Sequence, residues 1–100
     1  MGGKDAIIVD ADTADIDAAV EGVAASAFGF QGQKCSACSR LILDEKIYDK
    51  FLDKLKARVE KITLGVPTTN PGMGAVINEG SMKSIMEYIE AGKKDGRLIT

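Results

Sequence analysis

Apolar and polar positions alternate between two spacings along the chain, and the switches mark its elements. Asp5-Ala6-Ile7-Ile8-Val9-Asp10 is a short β-branched run, which predicts a buried strand. Asp10 to Thr13 ends it and supplies capping side chains. Ile16, Val20, Val23, Ala24 and Ala27 then recur at three and four, the spacing of one helix face, with Asp15 and Asp17 in the first turn, where the macrodipole favours negative charge. Arg40-Leu41-Ile42-Leu43 predicts a second strand. Asp44 is placed to cap a helix from about Lys46 to Ile62, with an apolar stripe of Ile47, Phe51, Leu55, Val59 and Ile62. Its outer face, from Lys50 to Lys61, is mostly basic and expected to be solvated. Gly65 is the expected stop.

Val66 to Ala75 carries both prolines, Asn70, Gly72 and Gly74, and predicts an ordered loop without regular pairing. A third helix is expected from Glu79 or Gly80 to about Ala91, with Met82, Ile85, Met86 and Ile89 inside and Gly92 as its end. Arg97 to Thr100 begins a further strand. The order strand, helix, strand, helix, loop, helix, strand predicts an α/β fold with parallel strands. A parallel sheet is normally covered on both faces, and so few strands suggest part of a larger domain.

At 100 residues the chain is at most one small domain. A net charge of -2 offers no basic face for nucleic acid or an anionic membrane, and no apolar run is long enough to cross a bilayer. Two cysteines without a secretory leader predict reduced thiols and a cytoplasmic location. Unpaired strands and apolar faces predict a homo-oligomer or a self-associating chain.

Both cysteines fall in one connection, Phe28-Gly29-Phe30-Gln31-Gly32-Gln33-Lys34-Cys35-Ser36-Ala37-Cys38-Ser39-Arg40, between the first helix and the second strand. A thiol in a Gly-rich loop held at both ends is a common setting for a nucleophile. Two bland readings stand beside it: a buried structural thiol, and an extended backbone that turns Lys34 away from Cys35. A helix C-terminus precedes Cys35, and its dipole opposes a thiolate. Cys35-Ser36-Ala37-Cys38 is also a Cys-x-x-Cys, so a thiol redox or metal-binding module is the alternative class. Thioredoxin-like motifs follow a strand and open a helix, the reverse of this order, and four zinc ligands would need carboxylates because the chain has no histidine.

Gly32-Gln33-Lys34-Cys35 with Ser39-Arg40 resembles the active-site motif of the aldehyde dehydrogenase superfamily. Phe28 to Arg40 with Gly2-Gly3-Lys4-Asp5 is similar to the branch that oxidises glutamate semialdehyde to glutamate in proline breakdown, and the likeness extends through the connection from Gly65 to Asn78. The resemblance implies that Cys35 attacks the aldehyde carbon, that its backbone N–H is half of an oxyanion hole, and that NAD then takes hydride. It also implies that Ser36 binds the substrate carboxylate and that Phe30 forms an apolar wall. Cys38 is read as structural, and Arg40 as a strand-edge charge or a carboxylate partner. The family's glutamate base, two residues before the Gly-Gly pair, falls one position ahead of Met1. No Gly-x-Gly-x-x-Gly follows a strand. Residues 1–100 are therefore expected to be a partial catalytic domain without the cofactor-binding domain, inactive alone.

Overall fold

Alternating side chains on two short strands create the main packing surface in a computed structural model that describes residues 2–100. Met1, next to which the family's glutamate would fall, lies outside the described residues. Strand β1 (Asp5–Val9) pairs in parallel with β2 (Cys38–Leu43), with Ile8 opposite Ile42 and Val9 opposite Leu43. Ile7, Val9, Leu41 and Leu43 point to one face, where helices α1 (Ile16–Phe28) and α2 (Tyr48–Val59) cover them. Val20 and Val23 of α1 meet Ile47 and Phe51 there, and Phe51 is fully buried.

Among the described residues, only that face is covered. Ile8 is 75% exposed and Ile42 52% exposed, so the expected buried strand is buried on one side alone. The stripes of α1 and α2 otherwise fall as the three-and-four spacing requires. The basic outer face of α2 is less free than expected. Lys54 bonds Asp17 at 2.5 Å and the Arg58 guanidinium takes both Glu21 oxygens at 2.8 Å, tying α2 to α1. Such exposed pairs each contribute under about 1 kcal/mol.

Helix boundaries differ from the sequence reading where local bonds compete. Asp15 caps α1 by accepting from the Ala18 N–H at 2.9 Å. Asp44 caps no helix. Its carboxylate accepts from the Lys46 N–H at 2.8 Å, in a turn before α2, and Ile47 takes the cap position without a side-chain bond. α2 ends at Val59, well short of Gly65.

The chain forms two compact units, the first running through Ile62 and the second spanning Thr63–Thr100. In the second, the proline-rich connection has no regular ladder and carries one isolated bridge. Leu64 and Met73 form a bridge, and Pro67–Thr69 make a 3-10 turn. Helix α3 (Glu79–Asp95) starts at Asn78, whose side chain accepts from the Ser81 N–H at 2.8 Å. It passes through Gly92 and ends at Gly96, because one interior glycine costs only about 1 kcal/mol while Lys93 and Lys94 suit a helix C-terminus. Met82, Ile85, Met86 and Ile89, expected inside, are 41–53% exposed. Residues 97–100 are irregular rather than a strand.

Candidate active site

Three left-handed residues reverse the chain after α1. Gly29 closes the helix, its N–H donating to the Ala25 carbonyl, and Phe30, Gln31 and Gly32 follow with φ of 53°, 57° and 71°. Glycine adopts this conformation freely, whereas an L side chain costs roughly 1–2 kcal/mol. Two such residues in succession mean that the surroundings hold the loop, a pattern that gathers at functional sites. Phe30 is 75% exposed.

Cys35 comes next, on a turn closed by the Ala37 N–H bonding the Lys34 carbonyl at 3.2 Å. Cys35 and Ser36 are the two central residues of that turn. Both are exposed, while Ala37 is buried at 7% and anchors the turn from below. The backbone bends here, so Lys34 is not carried to the opposite face by an extended strand, and both Lys34 and Cys35 line a cleft of about 340 Å³. Gly3, Lys4 and Gln33 share that lining; Ser36 lies outside it. Among the described residues no backbone carbonyl accepts from the Cys35 N–H.

Gly3 is the closest approach to the loop. A β-carbon on it would stand 1.8 Å from the Cys35 carbonyl oxygen, so the backbone of the Gly-Gly segment lies directly against the backbone of the nucleophile candidate. That close approach is the physical reason for a glycine at position 3.

Two contacts fix the far side of the loop, and neither was anticipated. The Cys38 N–H donates to the Ser26 hydroxyl of α1 at 3.1 Å. Arg40 Nη2 donates to the Lys4 carbonyl at 2.5 Å, so its partner is a backbone oxygen rather than a carboxylate. Cys38 is half-buried, its Sγ 3.5 Å from the Arg40 carbonyl.

The Cys-x-x-Cys follows a helix and opens a strand. Both thiols are free, and among the described residues no three histidine, cysteine or acidic side chains gather as metal ligands. A glycine-rich turn between a strand and a helix N-terminus, one common cradle for a dinucleotide pyrophosphate, is not found among the described residues: the β1–α1 connection carries Asp10, Asp12 and Asp15. The glycines of the cysteine loop instead follow α1. No helix among the described residues is long and apolar enough to cross a membrane.

The aldehyde dehydrogenase family model matches residues 1–100. The chain is 52% identical, over its whole length, to 1-pyrroline-5-carboxylate dehydrogenase 1 of Halalkalibacterium halodurans, and 50% identical to the 1-pyrroline-5-carboxylate dehydrogenase of Geobacillus thermodenitrificans. It spans 19% of the length of each. Among solved structures, a Thermus 1-pyrroline-5-carboxylate dehydrogenase with bound NAD is similar at a TM-score of 0.92 and 49% identity, over 99% of this chain and 19% of that one. The γ-glutamyl-γ-aminobutyraldehyde dehydrogenase of Burkholderia cenocepacia is similar at 0.94 and 37% identity, over 100% of this chain and 20% of its own.

Proposed function

Because the chain belongs to the aldehyde dehydrogenase family, we propose that it is the nucleophile-bearing part of a longer NAD-dependent dehydrogenase that oxidises glutamate 5-semialdehyde to glutamate. Cys35 is the nucleophile. The observation that carries this reading is the position of Cys35 itself, exposed at the centre of a turn and pressed by its carbonyl against Gly3. A thiolate there adds to the aldehyde carbon, and the resulting oxyanion lies within reach of the Cys35 N–H. Ser36, beside it and exposed, hydrogen-bonds the substrate carboxylate from its hydroxyl.

The cofactor belongs to the longer enzyme, on residues outside this chain, and the general base likewise. Residues 1–100 then form part of a catalytic domain. The exposed Ile8 and Ile42 on the open face of the sheet support that reading, as does the apolar side of α3, since surfaces of this kind are normally covered. The longer enzyme is cytoplasmic and assembles with copies of itself.

The test is made on the full-length enzyme with NAD. Glutamate semialdehyde should be oxidised with a higher kcat/KM than an unsubstituted aliphatic aldehyde of the same length, and Ser36→Ala should narrow that preference about tenfold, the worth of roughly one charge-assisted hydrogen bond. A preference for the uncharged aldehyde would refute the substrate assignment. A preference untouched by Ser36→Ala would refute the role of Ser36.

A further inference from the structure

The Cys35 turn lies between two irregular segments. On one side is the left-handed reversal at Phe30, Gln31 and Gly32. On the other, the register of β1 and β2 slips: Asp5 is opposite Cys38, but Ala6 is opposite Arg40, so Ser39 is the extra residue of a bulge. A bulge interrupts the ladder and re-aims the side chains beside it. What restrains the loop at this end must come from elsewhere in the chain.

Resting on the reading of Cys35 as nucleophile, we propose that Ser26 and Arg40 are positioning residues, which hold the thiol in register with the Gly-Gly segment. Ser26 stands in the last turns of α1, where a serine hydroxyl commonly bonds a carbonyl of its own helix. Here the hydroxyl oxygen accepts from the Cys38 N–H, 12 residues on. Arg40, directly after the bulge, reaches back 36 residues to the Lys4 carbonyl. Lys4 follows Gly3, and Gly3 lies against the Cys35 carbonyl. The contacts close a ring: Cys35 to Cys38 along the loop, Cys38 to Arg40 through the bulge, Arg40 to Lys4, and Gly3 back to Cys35. Ser26 ties that ring to α1, whose Val20 and Val23 are core residues. Through this ring the rigid layer of sheet and helix sets where the thiol stands.

A nucleophile displaced by about 1 Å loses on the order of 100-fold in rate, so losing one of two braces should cost about tenfold. Neither side chain touches the aldehyde, so the loss should fall on kcat and leave KM within about twofold. The experiment uses the full-length enzyme in four variants: Ser26→Ala, Ser26→Thr, Arg40→Met and Arg40→Lys. Steady-state kinetics, the native alkylation rate of Cys35 by iodoacetamide and the melting temperature are measured on each. The expected result is a kcat loss of about tenfold in Ser26→Ala and Arg40→Met, with a matching fall in Cys35 alkylation. Ser26→Thr, which keeps the hydroxyl, should recover most of the rate, and Arg40→Lys, which keeps one charged donor, part of it. If Arg40→Met or Ser26→Ala does not fold, the conservative member of that pair carries the comparison against the parent enzyme.

A kcat within twofold of the parent in both truncated variants overturns the proposal. So does a Ser26→Thr enzyme no faster than Ser26→Ala, or a loss that merely follows the melting temperature. Cys35→Ala is measured alongside. If it keeps turnover, the nucleophile reading itself is overturned and the positioning roles with it; if it abolishes turnover while the braces prove silent, only the positioning roles fall.

Discussion

Replacing Gly3 by alanine would put a methyl carbon 1.8 Å from the Cys35 carbonyl oxygen. Real β-carbons essentially never stand closer than 3.0 Å to such an atom, so the two backbones must part by about 1.2 Å or more. No flexible side chain can absorb this, because the three nearest atoms all belong to the Cys35 backbone. Overpacking of this kind costs about 1–3 kcal/mol of stability. The rate should suffer more, since a nucleophile misplaced by about 1 Å loses on the order of 100-fold. Gly22→Ala is the natural companion, as a β-carbon there meets nothing within 4 Å and the residue is helical. It should keep activity and gain up to about 1 kcal/mol from helix propensity. The assay is kcat for the two variants in the full-length enzyme, with urea midpoints beside it. A Gly3→Ala enzyme that kept both parental kcat and parental stability would show that the Gly3–Cys35 contact does not constrain the loop.

Other outcomes follow from burial and capping. Under native conditions a thiol reagent should modify exposed Cys35 faster than half-buried Cys38, read by peptide mass mapping; equal rates would contradict the presentation of the turn. Phe51→Ala, at the one fully buried large side chain among the described residues, should lower stability by about 3–5 kcal/mol in chemical unfolding. Asp15→Ala removes the cap on the Ala18 N–H and should cost about 1 kcal/mol by the same measurement, with kcat unchanged because α1 keeps its core contacts.

What the sequence disclosed was whatever depends on one element at a time. The stripes of α1 and α2 followed from spacing, as did both strands and their order, since apolar periodicity records which face is covered. Boundaries were harder. Asp44 is a good capping residue, but its carboxylate is already used on Lys46 in the preceding turn. Gly92 looked like a stop, yet α3 continues to Asp95 with Lys93 paired to Glu90 at 2.6 Å. The depth of burial was overstated for Ile8 and for Met82, because apolar character tells that a face wants cover and not whether this chain supplies it. At the site, the cysteine motif singles out Cys35, while nothing in the spacing of α1 singles out Ser26. Its partner is Cys38, and only the folded chain brings a hydroxyl of α1 to the start of β2. Arg40 was read through its charge and meets a carbonyl instead.

The central claim is that Cys35, and not its neighbour in the same Cys-x-x-Cys, forms the bond to the aldehyde. NADH production from glutamate semialdehyde by the full-length enzyme, in Cys35→Ala and in Cys38→Ala, tests this most directly. Cys35→Ala should abolish turnover, because no other thiol stands on the exposed turn against Gly3. Cys38→Ala should keep most of it, since the bond to Ser26 is made by the Cys38 backbone N–H, which alanine retains, and only the weak thiol bond to the Arg40 carbonyl is lost. Turnover that survived Cys35→Ala, or that vanished with Cys38→Ala while Cys35→Ala remained active, would contradict the assignment.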